Sequence, residues 1–220
     1  MATPSLLVRT AGVLLLVQDA GRPGLLGQGV SPSGFADATS ARRANRLVGN
    51  PEDAAVLESL LGGVVLEVLD AEATVAVAGV DAVIEVEVDG VTRRAAPEAP
   101  IAVPPGATLR IAALSGGLRA MIAVRGGIDA APVLGSRSRD TLAGLGPAPS
   151  VDGARLSVGC SAPEWPTVDL AVVVPPPSAA RILELFFRWG PRDDRLTAVG
   201  IAALLARRTV SARADRIGVR

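Results

Sequence analysis

Between Val64 and Val124 the chain is cut into short apolar runs by turn signals, and this rhythm restricts its fold more than any other feature. Val64, Leu66 and Val68 alternate with Val65, Glu67 and Leu69, and Val75, Val77 and Gly79 follow. Within Val83–Val88, Ile84, Val86 and Val88 share one face and Glu85 and Glu87 the other, which is the period of a half-buried strand. Asp89-Gly90 tolerates the positive φ angles that a two-residue hairpin turn requires. Pro104-Pro105-Gly106 turns into Thr108–Ala112, and Ser115-Gly116-Gly117 into Ala120–Val124. Short strands at this spacing predict an antiparallel, all-β barrel or sandwich.

The flanking segments add strands, one clear helix and a long loop. Leu6–Arg9 and Val13–Val17 read as short buried strands around Ala11-Gly12. Arg9 with Ala11–Val17 superficially resembles a signal peptide, but the apolar run is short and no small-residue cleavage site precedes Gln18-Asp19. A turn-rich loop follows over Asp19–Gly24 and continues through Gly27–Gly34. Asp37 can cap a helix whose Ala41, Ala44, Leu47 and Val48 fall on one face, and Gly49-Asn50-Pro51 stops it. After Gly146 the texture changes. Pro147–Gly153 is loop-like, Pro175-Pro176-Pro177 is a connector, Ile182–Phe187 reads as a strand and Leu196–Ala206 as a helix. The expected organisation is one domain in two segments, residues 1–146 and 147–220.

Composition closes several routes. Twenty-two basic residues balance 22 acidic ones, so the basic surface of a general nucleic-acid binder is not expected. The chain has no His and no Lys, and Cys160 is its lone cysteine. Ser–His–Asp and Cys–His catalysis, His/Cys zinc sites, lysine Schiff bases and biotinyl-lysine are therefore excluded within it. No metal site is expected. A disulfide framework is impossible, which fits the cytoplasm. No run approaches the roughly 18 apolar residues of a membrane span.

Candidate chemistry gathers around the glycine-rich loop. Gly24, Gly27, Gly29 and Gly34 can expose backbone N–H groups to a ligand, or can simply shape a long loop. Asp19, Arg22, Asp37, Asn45, Asn50 and Glu58 lie near it in sequence. An arginine can clamp a carboxylate or phosphate, and a carboxylate can accept a proton. Each has a structural alternative: Asp37 as a cap, Asn50 as a turn former, Glu58 as a solvent-facing carboxylate. Arg125-Gly126-Gly127 after a strand and Gly135-Ser136-Arg137-Ser138 are further candidates, or ordinary turns.

Val17-Gln18-Asp19-Ala20-Gly21-Arg22-Pro23-Gly24 resembles the TVQDxGRPG opening of the family of 5-oxoprolinase C subunits, also known as allophanate hydrolase subunit 2, KipA or the biotin-dependent carboxyltransferase family. Gly29–Asp37 is similar to its GVxxSGxxD, Ala44–Pro51 to ANxLVGNP, and Leu57-Glu58 with Gly62-Gly63 to LE…GG. Val124–Asp129, Val133–Ser138 and Asp215–Gly218 resemble VAGGID, VLGSRST and DRMG. Arg125 stands where members carry a small residue, and members continue for roughly another 80 to 100 residues, the size of a small domain.

This resemblance implies a mainly β, cyclophilin-like antiparallel barrel with a few short helices. It implies one member of a hydrolase complex that opens 5-oxoproline to glutamate together with B-like and A-like partner subunits, with ATP and magnesium in the complex. The alternatives are a carboxyltransferase half acting on urea or another small amide, with biotin carried on a partner chain, and a non-catalytic KipA-like binding protein. Carried onto this sequence, it implies Asp19, Arg22 and Asp37 as catalytic residues. Ser31, Ser33, Gly34, Asn45, Glu58, Arg125, Gly126, Gly127 and Ser136 are the implied substrate contacts.

Overall fold

The computed structural model describes residues 3–160, 165, 189 and 193–206. The chain divides into two compact units, residues 1–178 and 179–220. The first holds β1 (Ser5–Thr10), β2 (Leu14–Gln18), α1 (Ala38–Leu47), β3 (Val56–Leu60), β4 (Gly62–Leu69), β5 (Ala73–Ala78) and β6 (Ile84–Val88). It continues with β7 (Val91–Ala95), β8 (Ile101–Val103), β9 (Thr108–Ala113), β10 (Arg119–Val124), β11 (Ile128–Asp129) and β12 (Arg155–Val158). Every strand pairing is antiparallel, as the turn-punctuated sequence requires.

The mainly β expectation is borne out. The strands form a seven-stranded sheet, in the order β11-β12-β1-β4-β9-β6-β7, and a five-stranded sheet, in the order β2-β3-β10-β5-β8. Among the described residues no ladder closes the two into a single barrel. Side chains from both sheets meet in one core: Leu6, Val8, Leu66, Ile84 and Leu109 from the larger, Leu15, Leu57, Val75, Val77 and Ile122 from the smaller. In β4, buried and more exposed positions alternate, because only one face of the larger sheet is covered there. The smaller sheet is covered on both faces. Its other side packs Val56, Ala76, Ala78, Met121 and Ala123 against Ala41, Ala44 and Leu47 of α1 and its C-cap Val48. This explains why β2 and β10 read as nearly unbroken apolar runs, while β3 buries Glu58 and Ser59 within its run.

Local signals place the elements. Asp37 caps α1, its Oδ1 accepting Ser40 N–H at 3.0 Å. Asp89 and Gly90 take φ of 49° and 78°, and Val88 faces Val91, so the turn has two residues. The run expected to be a buried strand rather than a leader is β2, and Leu15–Gln18 within it are buried. The segment after Gly146 contributes β12, which pairs with β1. In the second unit, α2 (Ala198–Leu205) starts two residues later than expected, because Thr197 Oγ accepts Gly200 N–H at 3.1 Å and sets the cap there. The strand expected at Ile182–Phe187 lies outside the described residues. Among the described residues no helix is long and apolar enough to cross a membrane.

Candidate functional site

The chain leaves β2 at Gln18 and closes a loop upon itself. Arg22 N–H donates to Pro32 C=O at 2.7 Å, and Phe35 N–H to Asp19 C=O at 3.0 Å. The two limbs cross so tightly that a Cβ on Gly21, at φ 87°, would stand 2.4 Å from the Pro32 oxygen. Gly21 and Gly34, whose Cβ would stand 3.0 Å from the Ala20 carbonyl, are thus needed for the crossing itself. The tip is exposed, with Leu26 71 % accessible.

Asp19 fastens this loop to a second one, residues 133–146. Its Oδ1 accepts the Ser136 and Ser138 hydroxyls, each at 2.6 Å, and Gly21 N–H at 2.8 Å. Its Oδ2 accepts Arg137 N–H at 2.6 Å. The carboxylate therefore holds four donors, an arrangement suited to positioning the loops. Arg22, 2 % exposed, reaches between them: Nη2 donates to Ser138 C=O and Nε to Val133 C=O at 3.3 Å. Its Nη1 is buried and has no hydrogen-bond partner.

That orphan donor has company. Five buried side-chain polar atoms among the described residues lack a partner, and four belong to Gln18, Arg22, Arg139 and Asp140. Native proteins leave few such atoms without protein or ordered-water partners, and four of these five fall at one loop pair. The set contains two donors, Arg22 Nη1 and Arg139 Nε, and two acceptors, Gln18 Oε1 and Asp140 Oδ2. Gln18 is fixed by its Nε2 donating to Arg139 C=O at 2.9 Å. Asp140, 5 % exposed, uses Oδ1 to accept the N–H groups of Leu142 and Ala143, both at 2.9 Å. The Ala143 N–H, with Leu142 N–H, the Ser33 hydroxyl and the Arg22 charge, holds the Asp140 carboxyl below the usual carboxylate range against the opposing effect of burial.

The structure thus gathers Asp19, Arg22, Ser33, Gly34 and Ser136 from the expected residues. Ser31 is exposed, its Oγ accepting Ser33 N–H at 3.3 Å. Four others have different duties. Asp37 caps α1 and also accepts the Ser40 hydroxyl at 2.5 Å. Asn45 is fully buried; Nδ2 donates to Ala54 C=O at 2.8 Å and Oδ1 accepts Asn50 Nδ2 at 3.1 Å. Asn50 in turn accepts Gly126 N–H at 2.8 Å, so the two asparagines lock the exit of α1 to the end of β10. Glu58, considered as a solvent-facing residue, is 1 % exposed and pairs with Arg119 at 3.0 Å while accepting Ala36 N–H at 2.9 Å.

Arg125-Gly126-Gly127 also serves the lock. Arg125 donates to Val48 C=O at 2.9 Å, where the α1 dipole favours a cation, and lies 4.0 Å from the Trp165 ring centroid. Gly126 and Gly127 pack backbone against Gly159 and Ala54–Ala55. Sequence reasoning left Asp140, Gln18 and Arg139 out of the site. Gln18 sits inside the recognised VQD segment, whereas nothing in the spacing around Asp140 distinguished it. A groove of about 440 Å³ between Ala11–Leu15 and Pro149–Asp152 shares no residue with the loop pair. Its one carboxylate, Asp152, accepts Ala11 N–H at 2.8 Å.

Known proteins share this architecture. The fold superimposes on the crystal structure of TTHA0988 with a TM-score of 0.80 and 34 % identity, over 98 % of this chain and 77 % of that one. The K. lactis urea amidolyase structure gives a TM-score of 0.65 and 32 % identity over 78 % of this chain and 10 % of that one. In sequence, the chain is 35 % identical to the C subunit of 5-oxoprolinase from Escherichia coli over 154 residues, 69 % of this chain and 48 % of that protein. It is 39 % identical to urea amidolyase of Lachancea kluyveri over 140 residues, 63 % of this chain and 7 % of that protein. It therefore spans about half of the first of these relatives and a small part of the second. Residues 28–220 match the family described as carboxyltransferase domain, subdomain A and B, and the chain belongs to that family.

Proposed function

We propose that this chain is the C-type subunit of an ATP-dependent 5-oxoprolinase, working with B-like and A-like partner subunits to open 5-oxoproline to glutamate. The observation that carries this reading is the buried Arg22 guanidinium, held at two corners by backbone carbonyls with Nη1 left to donate. Such a donor, fixed before the ligand arrives, can hold an amide carbonyl oxygen and stabilise charge that develops on it. Asp19 contributes by positioning the loop that carries Arg22. Under this reading ATP and its magnesium act in the assembled complex. The relative from the 5-oxoprolinase complex supports this reading.

A second reading is carboxyl transfer to urea or a similar amide from biotin on another chain, supported by the urea amidolyase relatives and the family's description. Arg22 would hold the same carbonyl. Co-purification of the chain with its A-like and B-like partners, followed by phosphate release, tests the first. Release is expected only when 5-oxoproline is present and is expected to fall at least about tenfold in Arg22→Ala, the loss of a charge-assisted hydrogen bond. Phosphate release indifferent to 5-oxoproline refutes it. Urea-dependent decarboxylation of a carboxybiotinyl carrier by the same preparation would favour the second.

A further inference from the structure

Resting on the amide reading above, we infer that Asp140 is the specificity-determining partner of Arg22: Asp140 Oδ2 accepts the substrate N–H while Arg22 Nη1 donates to the adjoining carbonyl. Both atoms are buried and unpartnered, on residues 2 % and 5 % exposed. Arg22 Nη2 donates to the Ser138 C=O, two residues before Asp140, so both side chains belong to the same loop pair, yet they do not join in an ion pair. An uncompensated donor beside an uncompensated acceptor is unfavourable inside a protein, and a group offering the reverse pair relieves both. The O=C–N–H edge of a lactam or urea does so with two bonds.

The mixture of donors and acceptors also selects the ligand class. A phosphate would place its oxygens against Asp140 Oδ2 and Gln18 Oε1, and an ammonium would meet Arg22 and Arg139. A neutral amide edge satisfies a donor and an acceptor at once. The rest of Asp140 is arranged to keep it there. Its Oδ1 is tied to the Leu142 and Ala143 N–H groups of its own turn, which fixes the direction of Oδ2.

Asp140→Asn is the informative change, because the amide oxygen can keep the turn bonds while the orphan acceptor becomes an NH₂ donor. Binding to the full chain is measured by calorimetry with 5-oxoproline, its lactone analogue with ring oxygen in place of N–H, N-methyl-5-oxoproline and urea. The wild type is expected to prefer the lactam over the lactone and the N-methyl compound by at least about tenfold, the low end for a buried acceptor deprived of its hydrogen bond. In Asp140→Asn the preference for lactam over lactone should vanish or reverse. A wild type that binds lactam and lactone equally overturns the role of Asp140 but leaves the carbonyl anchor standing, and so does a variant that keeps the wild-type ratio. A wild type that binds none of the four overturns both readings. The ligand series needs no variant, so it decides the matter even if Asp140→Asn fails to fold.

Discussion

Replacing Asp19 with alanine separates a loop-fastening carboxylate from a reacting one. The change removes acceptors from two hydroxyls and two N–H groups, and the hydroxyls belong to Ser136 and Ser138, which are 1 % and 0 % exposed. Hydrogen bonds to a charged acceptor contribute about 1.5–3 kcal/mol each, but four of them at one atom group do not add. Ser138 Oγ retains a partner, since it also accepts Asp19 N–H at 2.8 Å. A net loss of about 3–5 kcal/mol follows, within the range for breaking a buried polar network. For a chain of this size that corresponds to a fall of about 10 °C in Tm. Asp19→Asn should lose roughly half as much: its amide oxygen can still accept the two hydroxyls, but its NH₂ then faces the Arg137 N–H, donor against donor. Differential scanning calorimetry of the two variants checks the ordering. An Asp19→Ala protein that melts within about 2 °C of wild type while losing turnover would refute the fastening role and return Asp19 to the chemistry.

Three further outcomes are expected. Gly126→Ala would put a Cβ 1.9 Å from the Gly159 carbonyl oxygen at φ 100°, so urea denaturation should show a loss above about 3 kcal/mol; Gly90→Ala, with open space around it, should cost only about 1–2. Glu58→Ala strands the Arg119 guanidinium, whose side chain is 11 % exposed, and should cost about 3–5 kcal/mol in the same assay, whereas Glu58→Gln should cost less by keeping the Ala36 N–H bond. The Asp140 carboxyl titrates lower in the folded chain than in the unfolded one, so its contribution is present above the unfolded value near about 4 and is lost as pH falls through the folded value. Stability measured between about pH 5 and pH 2 should therefore decline less steeply in Asp140→Asn than in wild type, and equal slopes would contradict the assignment.

What the sequence revealed and what it hid follow from the range of the interactions. Strand alternation, the Asp37 cap and the Asp89-Gly90 turn are set by residues a few positions apart, and the structure places all of them as read. The division into two sheets depends on which strands pair, a matter decided by packing across the core. The loop pair is less legible still, because Asp19 and Ser136 are 117 residues apart and their meeting leaves no periodic trace. Asn45 and Glu58 looked like ligand contacts because polar residues in a glycine-rich setting suggest a pocket. Burial instead obliged each to find partners within the fold, Asn45 on backbone and Glu58 on Arg119. Asp140 was invisible for the opposite reason: its distinction is an oxygen left without a partner, which no residue pattern encodes.

The block from Val17 to Gly63 therefore contains two machines rather than one. Its first half, through Gly34, crosses the chain over itself and holds Arg22 against the 133–146 loop. Its second half, from Asp37 onward, seats α1 on the five-stranded sheet and locks the exit of that helix through Asn45 and Asn50. The smaller sheet, covered on both faces, is the common floor: β2 delivers Gln18 and Asp19 to the loop pair, and β10 delivers Gly126 to the lock. Damage to the lock can reach the site through that shared sheet, from which Asp19 and Arg22 depart, and through residues 35–37, which join the loop to α1. Asp140→Asn keeps the turn bonds at Oδ1 and changes the orphan Oδ2, whereas Arg22→Ala removes Nη1 together with the bonds to Val133 and Ser138. Recognition and stability should thus separate along this line, with variants at the orphan atoms changing what is bound and variants at the asparagines changing whether the loops are held at all.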